Sequence, residues 1–449
     1  EPQHPRALRL RHEDAEREHE RIAARLEQLV DAALAHLAAG PTVANAGAFE
    51  RHEVVAVGDG LVGGDGQRLH DGTTAVAVHA PALATAPLRA SAVDDRVAVT
   101  EHSFTNSSVA VHWSLDGAIT SIIDVRAGRE LLPGGRTVSL WLAPDHPVEY
   151  DAWDLEAWTR GLGREVGGEA GTVDSVEVLD AGPLVATLRV RRSFGRSTVV
   201  QDVTLRAGSS RVDLSFDIDW HEDEQLLTLD VPLDVRTREA ACGIQYGHVM
   251  RPTHASTSWD AAKFEVCAHR WVDLSEADWG VAVLDDGRWG HGLHDGGVTV
   301  SLLRAAKYPD PEQDHGRHTV TVSVLPHTAG LATVVREAEA LNVPLRVVRD
   351  GSAPDAVESR AVRVTHVGHH AVDVSAVKLA DDASGDVVVR IAEVTGARTP
   401  VTVAVSRRVE SASRCNALEE PLQPLDLEFG ETPDEADIGS RRARRCLER

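Results

Sequence analysis

Between Arg11 and Ala39, apolar side chains fall at Ile22, Leu26, Leu29, Val30, Ala33, Leu34 and Leu37. This spacing of three and four lines them along one stripe of a helix. Glu16, Glu20, Arg21, Arg25 and Glu27 occupy the opposite face, and Gly40-Pro41 ends the run. The pattern predicts a helix laid against another element, a member of a bundle whose other helices lie partly upstream. Beyond it the period changes. Short runs rich in Val, Thr, Ile and Leu, divided by Gly, Asp, Asn and Pro, predict successive β-strands and turns. Examples are the runs at 54–57, 109–113, 211–216, 298–302 and 319–324. Several alternate apolar with polar residues, the mark of strands with one buried and one solvated face. Large antiparallel β-sandwiches are therefore expected, and not a parallel α/β fold.

At 449 residues the chain exceeds the roughly 250–300 at which single hydrophobic cores stop growing. The expected division is a terminal bundle helix over 1–40, a small β domain over 41–106, a large β-sandwich over 107–335, C-terminal β-sandwich strands over 336–435 and an atypical basic tail over 436–449. These boundaries follow an Ala-rich, Pro-containing stretch near 81–107, a short helical stretch from Leu331 to Leu341 before the loop Asp350 to Pro354, and an acidic, weakly apolar segment after Pro421. The first residue is Glu1 and the only methionine is Met250, so the sequence is expected to begin partway through a longer product.

Charge and cysteine usage narrow the function classes. A formal net charge of -24 opposes a phosphate-binding surface, because nucleic-acid affinity rests on lysines and arginines that release condensed counterions. No nucleic-acid partner is expected, although such acidity also serves plain solubility. Cys242, Cys267, Cys415 and Cys446 show neither a C-x-x-C pair nor dense spacing, so neither a zinc knuckle nor a disulfide framework is signalled. No apolar run approaches the roughly 18 residues of a membrane helix, and the N-terminal stretch lacks the hydrophobic core of a signal peptide. A cytoplasmic chain without a membrane partner is the expectation.

Three groups of residues are candidates for chemistry. The segment Tyr246 to Asp260, followed by Phe264 to Asp273, mixes His, Arg, Trp and Asp. It suits either a sugar site, with aromatic faces against pyranose C–H edges, or a buried polar network inside a sandwich. The run from Arg304 to His318 is a charged loop with Pro309 and Pro311 between two strong strand signals. Function concentrates on such loops. Asp310, Asp314, His315 and His318 there are metal-ligating residue types, but their spacing matches no zinc signature and a solvated loop is the alternative. Asp151-Ala152-Trp153-Asp154 and Asp219-Trp220-His221-Glu222 add carboxylate–aromatic groupings of the kind glycoside hydrolysis uses. Acid pairs are common in so acidic a chain.

Read in order, these segments carry a resemblance. Ile119 to Asp124, Asp151 to Asp154, Arg211-Val212-Asp213 with Asp219 to Glu222, Arg251 to Asp260, Phe264-Glu265 with His269 to Asp273, and Lys307 to Pro311 through His318 resemble the C-terminal region of α-mannosidases of glycoside hydrolase family 38, over roughly residues 10–435. The resemblance implies a mainly β fold: successive antiparallel β-sandwich domains, the largest galactose-mutarotase-like, preceded by a helix from a three-helix bundle. It implies a complete enzyme that hydrolyses terminal α-mannose with retention, using one zinc ion and an aspartate nucleophile held in an N-terminal β/α barrel. The family's zinc histidine near the bundle has no counterpart in Glu1-Pro2-Gln3-His4-Pro5-Arg6. No catalytic residue and no metal ligand is therefore carried over, and the zinc of the complete enzyme is expected to find its ligands elsewhere. Tyr308, Asp310, Asp314 and His318 are the candidate substrate contacts, in a loop that in the family approaches the sugar site from the sandwich side. The implied partners are a mannose-containing oligosaccharide, the missing barrel and, since relatives often assemble, further copies of the chain. The alternatives are a carbohydrate-binding sandwich without hydrolytic activity and a purely structural domain.

Overall fold

The computed structural model describes residues 5–58, 60–61, 66–294, 296–328, 330–351, 359–360, 362–366, 372–398, 400–405, 409–429 and 441–446. The N-terminal helix runs Pro5–Leu37, and Gly40 takes a positive φ of 88° just past its end, a conformation glycine adopts without a Cβ penalty. Its apolar stripe is uncovered: Leu26 is 56% exposed and Leu29 50%. The helix is tied down where Arg346 donates to both Glu27 carboxylate oxygens at 2.6 and 2.9 Å. Covering such leucines would be worth about 1.5–3 kcal/mol each.

The bulk of the chain is two large antiparallel sheets. The nine-stranded sheet runs, in spatial order, Thr172–Ala181, Val185–Phe194, Ser197–Arg206, Val212–Trp220, Gly316–Thr328, Trp279–Asp285, Trp271–Ser275, Glu239–Ile244 and Gly247–Pro252. The six-stranded sheet runs Arg164–Glu165, Ser139–Pro144, Gln225–Pro232, Gly297–Arg304, Gly290–His294 and Val266–Cys267. Alternation decides which side chains meet between them. Leu214, Phe216, Ile218 and Trp220 of one sheet and Leu227, Leu229, Val231, Val298 and Val300 of the other share one buried core. A five-stranded sheet from Ala98–Val99 to Arg129–Glu130 adds Phe104, Val111, Trp113 and Ile122 to that core. Successive antiparallel β-sandwiches behind a single N-terminal helix are thus what the sequence led us to expect.

Smaller sheets flank this body. Thr42–Asn45 pairs with Ala84–Pro87 on one side and with Arg346–Val348 on the other, so the chain returns to its first strand after the large sheets are complete. Arg51–Val57 pairs with Thr74–Ala80, and Val43, Val57, Val76, Val78 and Leu88 form a second core. The helix Ala332–Asn342 packs Val334 and Ala338 on Trp271, Ala282, Leu284 and Leu325. Toward the C-terminus Arg441–Cys446, inside the expected basic tail, pairs as a strand with Pro400–Val405 and Leu427–Phe429. Residues 436–440 and 447–449 of that tail lie outside the described residues. Among the described residues no helix is long and apolar enough to cross a membrane.

Candidate functional site

The charged loop predicted between two strands lies between Gly297–Arg304 and Gly316–Thr328, at one end of the sandwich. Arg304, the last residue of its strand, organises it. Its Nε donates to Asp145 Oδ2 at 2.6 Å, and its terminal nitrogen donates to the carbonyls of Asp151 (3.1 Å) and Asp154 (2.7 Å). Asp145 is 1% exposed, so the guanidinium compensates a carboxylate that could not otherwise remain out of water. This fixes the turn at 150–154, where Tyr150 has φ 55° and its carbonyl accepts from the Trp153 and Asp154 amides.

Asp151 then reaches back: its Oδ2 accepts from the amides of Lys307 and Tyr308 at 2.8 and 2.9 Å. Two loops far apart in sequence are locked to each other, and Tyr308, 65% exposed, is held beside Asp151. Tyr150, Trp153 and Trp158 are also exposed on the same loop system. A third loop closes the cluster. Lys307 Nζ and His315 Nε2 each lie 3.3 Å from Asp223 Oδ1, and Arg196 reaches Asp223 at 2.6 Å. Partial burial opposes ionisation of Asp223, but hydrogen bonds from Arg196 and Lys307 prevail and hold its carboxyl below the usual carboxylate value. An ionised acid, hydrogen-bond donors and open aromatic faces within one loop system are what sugar hydroxyls and C–H edges require.

The four predicted contacts are placed differently within this loop. Tyr308 presents its ring outward. Asp310 is buried, and its Oδ1 accepts from the Glu312 amide at 3.0 Å, shaping the turn. Asp314 is exposed with φ 59°, and its carbonyl accepts from His318 Nε2 at 2.7 Å. His315 points to the carbonyl of Glu222 at 2.9 Å. Asp310, His315 and His318 are thus each engaged with a different backbone group, and with Asp314 they do not gather into a cluster of metal-ligating atoms, so the donor set does not fit a zinc ion, which needs its ligands about one shell of 2.0–2.2 Å around a common point. Asp223 is a site residue that the sequence reading passed over, while Asp151 and Lys307 lay in segments it singled out without being named as contacts. For Asp151 the signal was present, since Asp151 to Asp154 had stood out as a carboxylate–aromatic group.

The other groups disperse. Within Tyr246 to Asp273, Thr257 and Asp260 close a capping box around the short helix Ser258–Ala261, with Trp259 80% exposed. Asp273 is buried and meets His327 Nε2 at 2.7 Å. In the Asp219 to Glu222 group, Trp220 lies in the core while Glu222 accepts from the Arg196 amide and the Ser197 hydroxyl at 2.7 and 2.8 Å. A separate cleft of about 520 Å³ on the outer face of the nine-stranded sheet is lined by Arg189, Asp202, Asp217, Asp286 and Arg317. Its Arg189 is committed to Asp202 and its Arg317 to Asp217, so these two charges cancel in place. The loop cluster is the better candidate.

The profile of the glycosyl hydrolases family 38 C-terminal domain matches residues 104–312, and that of the family 38 C-terminal beta sandwich domain matches residues 371–436. The chain belongs to glycoside hydrolase family 38. It corresponds to the family's C-terminal region, and Asp145, Asp151, Asp223, Arg304, Tyr308 and Asp310 lie within the first matched span. Human alpha-mannosidase 2C1 is 33% identical over 321 residues, which are 70% of this chain and 30% of that protein. Alpha-mannosidase G of Dictyostelium discoideum is 32% identical over 71% of this chain and 30% of its own length. This family 38 chain thus spans about a third of the curated relatives it matches. Among solved structures, an alpha-mannosidase from Enterococcus faecalis shares the fold with a TM-score of 0.64 at 15% identity, covering 90% of this chain and 56% of the other.

Proposed function

We propose that this chain is the C-terminal, non-catalytic portion of a retaining α-mannosidase, and that its sandwiches scaffold an active site housed in an N-terminal barrel and partly wall it. The single observation that carries the reading is the Arg304–Asp145 clamp, which holds Asp151, Tyr308 and the Asp223 cluster on one exposed, aromatic-rich loop face. The exposed stripe of the N-terminal helix gives the same portion a second docking face. In the complete enzyme a bound zinc ion would supply Lewis-acid contacts to sugar hydroxyls. Since the donors of the loop face do not fit that ion, its ligands belong in this reading to the barrel, and no step is routed through this chain. What these residues do is bind and orient: Tyr308 offers a ring to a pyranose, and the groups around Asp223 offer hydrogen bonds. Tyr308, Asp310, Asp314 and His318 remain the proposed group, Asp310 acting through the turn it shapes and Asp151 positioning Tyr308. A division into units over 1–40, 41–106, 107–335 and 336–435, with Arg346–Val348 shared with the small unit, cytoplasmic residence and assembly into homo-oligomers belong to the same proposal.

The test is reassembly. The chain is mixed with a separately produced catalytic barrel of the same enzyme, and hydrolysis of an aryl α-mannoside is followed. Activity should appear only in the mixture, and Tyr308→Ala should raise KM with little change in kcat. A barrel fully active without this chain would end the scaffolding reading.

A carbohydrate-binding role without hydrolysis is the second reading, favoured by the open rings of Tyr150, Trp153 and Tyr308. It requires the isolated chain to show mannoside-dependent tryptophan fluorescence, and a flat titration into the millimolar range would remove it.

A further inference from the structure

The small sheet that pairs Arg51–Val57 with Thr74–Ala80 carries a side-chain cluster that the proposed function does not use. In the register of these antiparallel strands His52 stands directly opposite His79. Arg51 and Ala80, their neighbours along the strands, are buried, so the pleat directs both imidazoles to the solvent face. The rings stack with centroids 4.6 Å apart and planes inclined by 21°. Glu50, the residue before the first strand, completes the group: its Oε1 hydrogen-bonds His79 Nε2 and lies 3.5 Å from His52 Nε2.

One carboxylate and two imidazoles thus converge, their ligand atoms all within 4.8 Å of one another, the one such group among the described residues. Zinc bound by nitrogen and oxygen at about 2.0–2.2 Å needs donor atoms roughly 3.3–3.5 Å apart in a tetrahedron. Exposed side chains on a fixed cross-strand pair close that gap by small rotations. The donor set is that of a borderline divalent cation: imidazole suits zinc and copper, and a carboxylate adds the negative charge a hard magnesium or calcium site would need in greater number.

We propose that Glu50, His52 and His79 form a three-ligand site for a borderline divalent cation such as zinc, with water in the fourth position. Occupied, it joins the edge strand Arg51–Val57 to Thr74–Ala80, its neighbour in that sheet among the described residues. The proposal stands apart from the proposed function, because its readout is metal binding and not turnover.

The test uses the full chain, stripped of metal and titrated with zinc chloride by calorimetry, beside His52→Ala, His79→Ala and Glu50→Gln. All three positions are exposed, so the metal-free variants should unfold at the wild-type temperature. Losing even an outer-shell partner of a metal site costs roughly 10–100-fold in affinity. Each histidine variant should therefore lose at least about tenfold for one zinc equivalent, and the zinc-dependent rise in Tm should vanish with it. Cobalt(II) provides an independent reading: wild type should give the visible absorption of a tetrahedral ion, and His52→Ala should not. If the histidine variants keep the affinity and stoichiometry of the wild type, the metal sits elsewhere among the 22 histidines and the proposal fails. It fails equally if zinc does not bind above background, in which case the cluster is an ion pair only.

Discussion

Replacing Arg304 with methionine keeps the length of the side chain and deletes its charge. The consequence can be worked from the geometry. Asp145, 1% exposed, loses a 2.6 Å hydrogen bond from Arg304 Nε, while its Oδ1 has no hydrogen-bond partner among the described residues to begin with. Removing one member of a buried ion pair costs about 3–5 kcal/mol, because an uncompensated charge stays behind. Arg304 itself keeps 21% of its side chain in solvent, which places the expected loss near the lower end, about 3 kcal/mol. Three further hydrogen bonds, to the carbonyls of Asp151, Ala152 and Asp154, go with it. Urea unfolding followed by tryptophan fluorescence should show the lower midpoint. The double variant Arg304→Met/Asp145→Leu should recover most of the loss, since no buried charge remains. A single variant within about 0.5 kcal/mol of wild type, the range of an ordinary surface change, would refute the clamp, as would a double variant no better than the single.

Two further predictions concern pH. Burial works against a charged His327, but its hydrogen bond to Asp273 prevails and raises its value above the ordinary histidine 6.5. The protonated ring is then bound more tightly folded than unfolded, so its stabilisation is complete below pH 6.5 and fades as pH rises through the folded value. Thermal unfolding between pH 6 and 9 should show that decline in wild type and a flatter profile in His327→Gln; parallel profiles would contradict it. Glu339 is raised to about 7 by burial, with the nearby Asp373 charge adding to it. For this carboxyl too the raised folded value means stabilisation that is present below 4.5 and lost as pH climbs through about 7. Glu339→Gln should accordingly unfold at a higher temperature than wild type at pH 8 and gain little at pH 5, and equal gains at both would sink the reasoning.

Local patterns made the scaffold legible. The three-and-four spacing from Ile22 to Leu37 is a property of one segment, and it marked the helix. Alternation in 211–216 and 319–324 likewise announced strands whose odd and even residues face different solvents, and these two proved to be hydrogen-bonded neighbours. Pairing across long separations left no such trace. Arg346–Val348 joins Thr42–Ala44 because a short strand needs an edge, and neither segment names its partner. The site shows the same limit. Tyr308 stood out in a charged loop, but Asp151 gains its role from two amides 156 and 157 residues away. Asp310 is chemically a candidate ligand, and only the fold reveals its carboxylate turned into its own loop. His52 and His79 are unremarked histidines until the register sets them opposite each other.

The central claim, that these sandwiches support α-mannosidase chemistry without performing it, is met most directly by one assay. The purified chain at high concentration, with zinc added, is incubated with an aryl α-mannoside and release of the phenol is followed. The account predicts a rate indistinguishable from the uncatalysed control, in wild type and in Asp310→Asn alike. Turnover by the chain alone that Asp310→Asn or Asp314→Asn abolishes would contradict it.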